Sequence, residues 1–116
     1  MHTSRLVEDL RDRSAGLSRE IVAVVPVRAG RFLPATLIGA GESDKVNLDP
    51  GDALRPVLHA HAGSYVLLHT HLVEAGPSAA DHAVTRRLVA ASAIVGVEML
   101  AHLVLTPTLV YDCLRP

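Results

Sequence analysis

Apolar runs and amphipathic stretches alternate along the chain and divide it into predicted strands and helices. Residues 20–27 and 64–68 are almost continuously apolar, which is typical of strands buried on both faces of a sheet. Residues 31–38 are predicted to return against the first of these strands as a hairpin. Two final strands are predicted over residues 97–105 and 108–114.

Prolines and charged residues modify this pattern. Pro26 and Pro34 lack the N–H that a strand ladder needs, so we expect edge positions or bulges at both. Residues 45–47, within a polar connection, are compatible with one more short strand. Residues 4–13 place apolar side chains among charges at helical spacing, which predicts a short amphipathic helix near the N-terminus.

Two longer helices have recognisable ends. Asp49 is a good N-cap and Pro50 suits the first helical position, so a helix is predicted from there to about residues 62–63. The longest helix is predicted to begin at Ser78 and to be closed by Gly96.

The composition bounds the size and class of the protein. With 116 residues, we expect one domain over 1–116, with an N-terminal helix within 1–16 and the functional core within 20–114. Hydrophobic residues make up 49% of the chain and aromatic residues only 3%, so the core should be aliphatic. Valine-rich runs with helical segments between them favour an α/β or α+β fold.

Charge and cysteine content limit the partners and the cellular compartment that we expect for this protein. The formal net charge is −1, from 11 basic and 12 acidic residues, and gives no support for a nucleic-acid partner. Cys113 is the only cysteine, which excludes an internal disulfide and a cysteine-based zinc cluster. No signal peptide is recognisable, and no apolar run approaches the ~20 residues of a membrane span. We therefore expect a soluble, cytoplasmic protein.

Two histidines after the strand at 64–68 carry the strongest chemical signal. His69 and His71 are two residues apart on extended backbone, so their imidazoles point to one side and can share a metal ion. Asp81 follows ten residues later, just inside the longest helix, and can return as a third ligand. Two histidines and a carboxylate leave a tetrahedral zinc ion with an open position, which is typical of catalytic zinc.

Structural roles compete for the neighbouring polar residues. Ser78 and Asp81 have the spacing of a capping box, so helix capping explains both without a metal. Because a metal-bound carboxylate directs its oxygens at the ion, we expect that Asp81 does not serve fully in both roles. Glu20, at the head of the first strand, is either a general base for a metal-bound water or a solvated strand end.

The remaining histidines are weaker candidates. His59 and His61 fall at a predicted helix end, where residues two apart face different directions. His82 should point away from its neighbour on the helix, and His102 is predicted to be a buried strand histidine with a supporting role open to it. The alternative acids are Glu42 and Glu74.

The order of these residues resembles a known motif. Glu20, then His69-x-His71, then Ser78-x-x-Asp81 is similar to the JAMM (MPN+) metalloprotease signature.

Within that superfamily, the chain from about Glu20 to Tyr111 resembles the RadC-type branch. Residues 53–71, 81–89 and 96–104 are similar to the helix, strand and motif segments of RadC proteins. The resemblance implies a RadC-like JAB/MPN domain with a deaminase-like α/β/α sandwich around a mixed central sheet.

The resemblance also implies roles for five residues. His69, His71 and Asp81 would bind Zn²⁺, Glu20 would activate the water on it, and Ser78 would stabilise the oxyanion. JAMM enzymes hydrolyse peptide or isopeptide bonds at the C-terminus of ubiquitin or ubiquitin-like proteins. The expected partner is therefore a protein or peptide substrate of that kind.

Three differences from the RadC pattern leave alternatives open. RadC proteins usually read His-Asn-His-Pro-Ser-Gly, whereas Leu72, Val73 and Glu74 follow the histidines here. The connection 72–77 has six residues where seven are usual, and Ala101 stands where an aspartate often precedes the strand histidine. A zinc-binding MPN-like scaffold without efficient catalysis is therefore a second hypothesis.

A third hypothesis is a RadC-like DNA repair accessory protein, and it rests on the family name and on Arg86 and Arg87. The near-neutral charge argues against it. So does the lack of a counterpart to the helix-hairpin-helix region of full-length RadC proteins. Exposed sheet edges make a homodimer compatible with any of the three hypotheses.

Overall fold

A mixed six-stranded sheet organises the part of the chain that the computed structural model describes, residues 3–41 and 48–115. The strands are β1 (Glu20–Arg28), β2 (Arg31–Phe32), β3 (Thr36–Gly41), β4 (Ser64–Thr70), β5 (Glu98–Leu105) and β6 (Val110–Asp112). The helices are α1 (Ser4–Ser14), α2 (Pro50–His59) and α3 (Ala79–Val95). The strand suggested for residues 45–47 and the alternative acid Glu42 lie outside the described residues.

The topology places β1 and β4 at the centre of the sheet. The strand order is β2-β1-β4-β5-β6, and β3 also pairs with β1. Strands β4 and β5 run parallel, whereas the other pairs are antiparallel. A parallel pair needs a crossover connection, and α3 provides it.

Helices cover both faces of this sheet. On one face, α1 packs on alternate strand residues, and that cluster comprises Val7, Leu10, Val25, Val66, Leu68, Ala101, Leu103 and Leu105. On the other face, α2 and α3 pack on the intervening residues, and the buried members include Val22, Val24, Ala53, Leu54, Val57, Tyr65, Leu67 and Leu88. The two-residue alternation of strands therefore divides one aliphatic core into two layers. This α/β/α arrangement confirms the predicted JAB/MPN-type fold.

The prolines are accommodated differently from the prediction. Pro26 lies within the central strand β1, opposite Tyr65 of β4, and not at an edge. Its carbonyl accepts a hydrogen bond from the N–H of Leu33, on the side where β2 ends and β3 has not begun. The partner strand predicted over 31–38 is thus interrupted around Pro34, and the missing N–H of Pro26 faces that interruption.

Helix ends follow the predicted caps with one exception. The Asp49 side chain accepts from the N–H of Gly51, and Gly96 closes α3 in the left-handed conformation with φ 82°. Helix α2 ends at His59, earlier than predicted, because His61 adopts a positive φ of 53°. The last strand is also shorter than predicted. Within the described residues, no helix is long and apolar enough to cross a membrane.

Candidate metal centre

Strand alternation places two of the candidate residues on the face that α3 covers. Glu20 has the same parity as Val22 and Val24, which pack beneath α2 and α3, and His69 has the same parity as Leu67. Antiparallel pairing sets Val22 opposite His69, so the first residue of β1 reaches the end of β4. The Glu20 Oε1 atom lies 3.3 Å from His69 Nε2.

Asp81 reaches the same point from the first turn of α3. Its Oδ1 lies 3.0 Å from His69 Nδ1, and its Oδ2 lies 3.2 Å from His71 Nε2. The side chains of Glu20, His69, His71 and Asp81 are each at most 8% exposed. The six-residue connection 72–77 is therefore long enough to bring Asp81 to both histidines.

Asp81 also belongs to a complete capping box. The Ser78 Oγ accepts from the N–H of Asp81 at 3.1 Å, and Asp81 Oδ2 accepts from the N–H of Ser78 at 2.8 Å. Burial raises the pKa of Asp81, but the hydrogen bonds from His69 and from the Ser78 backbone outweigh it and hold that pKa below its usual range. One carboxylate thus caps the helix and faces both histidines.

A backbone carbonyl orients the second histidine. His71 Nδ1–H donates to the carbonyl oxygen of Ala75 at 2.8 Å, which leaves Nε2 of the neutral ring without a proton. The loop that carries Ala75 is anchored in turn, because Glu74 Oε2 accepts from Thr106 Oγ1 at 2.6 Å. Glu74, an alternative acid in the sequence, thus holds the loop.

With neutral imidazoles, the arrangement of donors and acceptors in this cluster is incomplete. Nε2 of the neutral His71 ring presents a lone pair to Asp81 Oδ2, and both nitrogens of His69 face carboxylate oxygens although a neutral ring has one N–H. Two buried contacts would otherwise oppose acceptor to acceptor, which protons or a metal ion would relieve.

The donor types also suit zinc, which binds imidazole nitrogens and carboxylate oxygens, and the same types suit other divalent transition metals.

Geometry offers two carboxylates for one metal. The ligand atoms of Glu20, His69 and His71 all lie within 4.8 Å of one another. The resemblance instead implies His69, His71 and Asp81. Asp81 contacts both histidines through its two oxygens, at Nδ1 of His69 and at Nε2 of His71, whereas Glu20 contacts Nε2 of His69.

The other predicted site residues lie outside the cluster of Glu20, His69, His71 and Asp81. Ser78 is exposed, and it is linked to the cluster through its hydrogen bond from Asp81. His59 and His61 are exposed at the end of α2, and His82 is half-buried on α3 beside Asp81.

Two residues near the site were missed by sequence reasoning. Thr70 Oγ1 accepts from the N–H of Ile21 at 2.9 Å, where the ladder between β1 and β4 ends, and so ties the start of β1 to β4. Thr85 Oγ1 donates to the Asp81 carbonyl at 3.1 Å and lies 2.7 Å from His102 Nδ1. The position of Thr70 between the two histidines was a sequence signal for its role, whereas the sequence around Thr85 gave no such signal.

The fold is a mixed sheet between helical layers. At one point it brings together a His-x-His sequence at the end of a strand, an aspartate at the start of a helix and a glutamate at the start of another strand. These features define a JAB/MPN-type domain. A family profile described as the RadC-like JAB domain matches residues 2–112, and the chain belongs to that family.

Curated relatives agree with this assignment. The chain is 35% identical over 99 residues to a UPF0758 protein of Rubrobacter xylanophilus, covering 82% of this chain and 43% of that protein. It is 34% identical over 95 residues to one from Acidovorax sp. strain JS42, covering 80% and 40%, respectively. One from Photorhabdus laumondii is 33% identical over 100 residues, covering 84% and 44%. The chain spans less than half the length of these relatives.

Proposed function

We propose that this domain is a zinc-dependent peptidase or isopeptidase that hydrolyses a peptide or isopeptide bond, next to the C-terminus of a ubiquitin-like protein. The observation that carries the proposal is a buried cluster of two imidazoles and two carboxylates, in which ring nitrogens face carboxylate oxygens. Such a cluster is costly unless a cation binds there, and the spare carboxylate is the group that hydrolysis requires.

The residues of the site divide into those that would bind the metal ion and those that act on the substrate and water. His69, His71 and Asp81 would hold the zinc ion, which supplies a Lewis acid that activates water near neutral pH and polarises a carbonyl. Glu20 takes the proton of the attacking water and returns it to the leaving amine. Its burial, at 1% exposure, keeps bulk water from competing for that proton.

Ser78 is suited to stabilise the oxygen of the scissile carbonyl. Because its Oγ already accepts from the N–H of Asp81, its own hydroxyl proton remains available for donation. The position at the start of α3 adds the positive end of the helix dipole, which favours a developing oxyanion.

Hydrolysis by a purified, zinc-reconstituted protein tests the proposal. Ubiquitin-like proteins with C-terminal extensions and an unstructured peptide library are offered as substrates to the native chain, Glu20→Gln and Glu98→Gln. Glu98 is an exposed glutamate at the start of β5 and serves as the matched control.

We expect about one zinc per chain in all three proteins. Glu20→Gln should lose about 10²–10⁴-fold in cleavage rate, whereas Glu98→Gln should match the native chain. Cleavage that is equally fast in Glu20→Gln would contradict its role as the base. Full zinc occupancy with no cleavage of any substrate would instead favour the zinc-binding scaffold, for which the short loop 72–77 is the motivation.

A further inference from the structure

A cavity of about 310 Å³ opens directly beside His71. Its walls are the end of α1, the connection 15–19 and the turn between β5 and β6. Leu17 and Leu72 give it an apolar rim and are 49% and 42% exposed. Through His71, the cavity borders the candidate metal centre.

The lining of this cavity is unusual in charge. Among the described residues it contains Arg11 and Arg19 and no carboxylate. Two other cavities of the molecule are balanced or acidic. One combines Asp112 with Arg115, and the other combines Arg5 with Glu8, Asp9 and Asp12. An excess of positive charge thus distinguishes this cavity from the other two.

Arg11 is a fixed charge at the back of the cavity. Its Nη2 donates to the carbonyl oxygens of Thr106 at 3.2 Å and Leu109 at 2.8 Å. Its Nε is buried without a hydrogen-bond partner within the described residues. Glu74 offsets part of this charge from outside the lining, since it interacts electrostatically with Arg11 while bonded to Thr106.

Arg19 is the more accessible charge. It is exposed, and it directly precedes Glu20, the proposed general base. Arg19 and His71 both line this cavity, so a substrate chain that runs from His71 into the cavity passes Arg19. A guanidinium group at such a position matches the geometry of a carboxylate.

We infer that this cavity binds a carboxylate of the peptide substrate, either an acidic side chain or a free C-terminus, near the bond that is cut. Arg19 is its ionic partner, and Arg11 supplies a fixed positive charge behind it. This inference rests on the proposed function, because it describes the substrate of the same site. The apolar rim at Leu17 and Leu72 favours an aliphatic residue beside the carboxylate.

Binding of labelled peptides, measured without turnover, tests the inference. The protein is zinc-loaded Glu20→Gln, and the probes are fluorescent hexapeptides of Leu, Ala and Gly with one Glu or Gln at each position in turn. Each peptide is made with a free and with an amidated C-terminus, which distinguishes a side-chain carboxylate from a terminal one. The dissociation constants are measured by fluorescence anisotropy.

We expect the carboxylate peptide of the matching pair to bind about tenfold more tightly than its neutral counterpart, with the preference falling at high salt. In the same background, Arg19→Gln should abolish the preference and Arg19→Lys should retain part of it. Arg31→Gln, on an exposed arginine of β2 that does not line the cavity, should change nothing.

Two results would overturn the inference: equal binding of every Glu and Gln pair, or an undiminished preference in Arg19→Gln. Hydrolysis by the native chain is measured on the same peptides. Cleavage without a carboxylate preference refutes the cavity assignment alone. A carboxylate preference that depends on Arg19, with no cleavage of these peptides or of the ubiquitin-like substrates, refutes the peptidase proposal while the cavity still binds the anion.

Discussion

Two buried histidines on neighbouring strands occupy the same layer in contrasting surroundings. His69 and His102 are 5% and 1% exposed, and their rings stack with centroids 6.5 Å apart and planes inclined by 19°. His69 faces the carboxylates of Glu20 and Asp81. His102 instead meets the hydroxyl of Thr85, which donates onward to a backbone carbonyl.

The contrast shows what distinguishes a candidate metal-binding histidine from a structural one in this fold. Burial first, and then the proximity of His69, lowers the pKa of His102 to about 4, so its ring is neutral near pH 7. A neutral ring beside a hydroxyl is satisfied as it stands. His69 has carboxylates on both sides, and its neutral ring has one N–H for the two of them. The surroundings of the two histidines differ because β1 and α3 place Glu20 and Asp81 beside His69, and not because of the position of either histidine on its strand.

The largest expected effect is on zinc retention. His69→Asn should lose zinc on dialysis, whereas His102→Asn should keep about one zinc per chain. Zinc is measured by elemental analysis, with circular dichroism to confirm that both variants are folded. Comparable loss of zinc from two folded variants would abolish the distinction between the histidines.

The two acids beside His69 should differ as well. Asp81→Asn is expected to weaken zinc binding by more than about 100-fold because a ligand is removed, whereas Glu20→Gln should bind zinc nearly as the native chain does. Competition with a chromogenic chelator measures both affinities. The reverse ranking would make Glu20, His69 and His71 the ligand set and leave Asp81 as a helix cap.

His102 should make the stability of the protein depend on pH. Its folded pKa of about 4 lies below the ordinary 6.5, so the unfolded chain takes up the proton first as the pH falls. The free energy of unfolding of the zinc-free protein should therefore decrease from about pH 6.5 to pH 4, by about 3 kcal/mol from this residue.

Denaturant titrations across that range measure this effect. His102→Asn should flatten the dependence, while His59→Asn, on an exposed histidine, should leave it unchanged. An identical slope in the native chain and in His102→Asn would mean that His102 does not titrate as described.

The smallest effect concerns the tether that keeps Glu20 near His69. Thr70→Val removes the acceptor for the N–H of Ile21 and should cost about 1 kcal/mol of stability. Zinc affinity should stay close to native, because no ligand is touched, while cleavage slows as Glu20 becomes less well held. Thr70→Ser keeps the hydroxyl and should behave as the native chain does. Cleavage by Thr70→Val at the full native rate would remove the positioning role.

Much of the fold could be predicted because its signals are local. Asp49, Ser78 and Gly96 mark helix ends through their own side chains or through the lack of one, and the apolar runs mark the central strands. The convergence of His69 with Asp81 also followed from spacing and strand geometry. Such features need no knowledge of what packs against them.

The missed features depend on partners that are distant in sequence. Pro26 is tolerated in a central strand because its neighbour is interrupted, which only the assembled sheet reveals. Asp81 both caps α3 and faces the histidines, which depends on the angle at which α3 meets the sheet. The hydrogen bond between Thr70 and Ile21 joins residues that are 49 positions apart. Sequence patterns therefore indicated the candidate ligands but not the groups that hold them.

The parallel pairing of β4 and β5 sets an order of assembly. These strands can pair only after the chain has crossed over through α3, and closing such long connections is the slow part of folding. Asp81 arrives with that crossover, whereas the two histidines already stand together at the end of β4. We therefore expect the metal to be captured late, so that a nascent chain offers an incomplete set of ligands until its sheet is nearly finished.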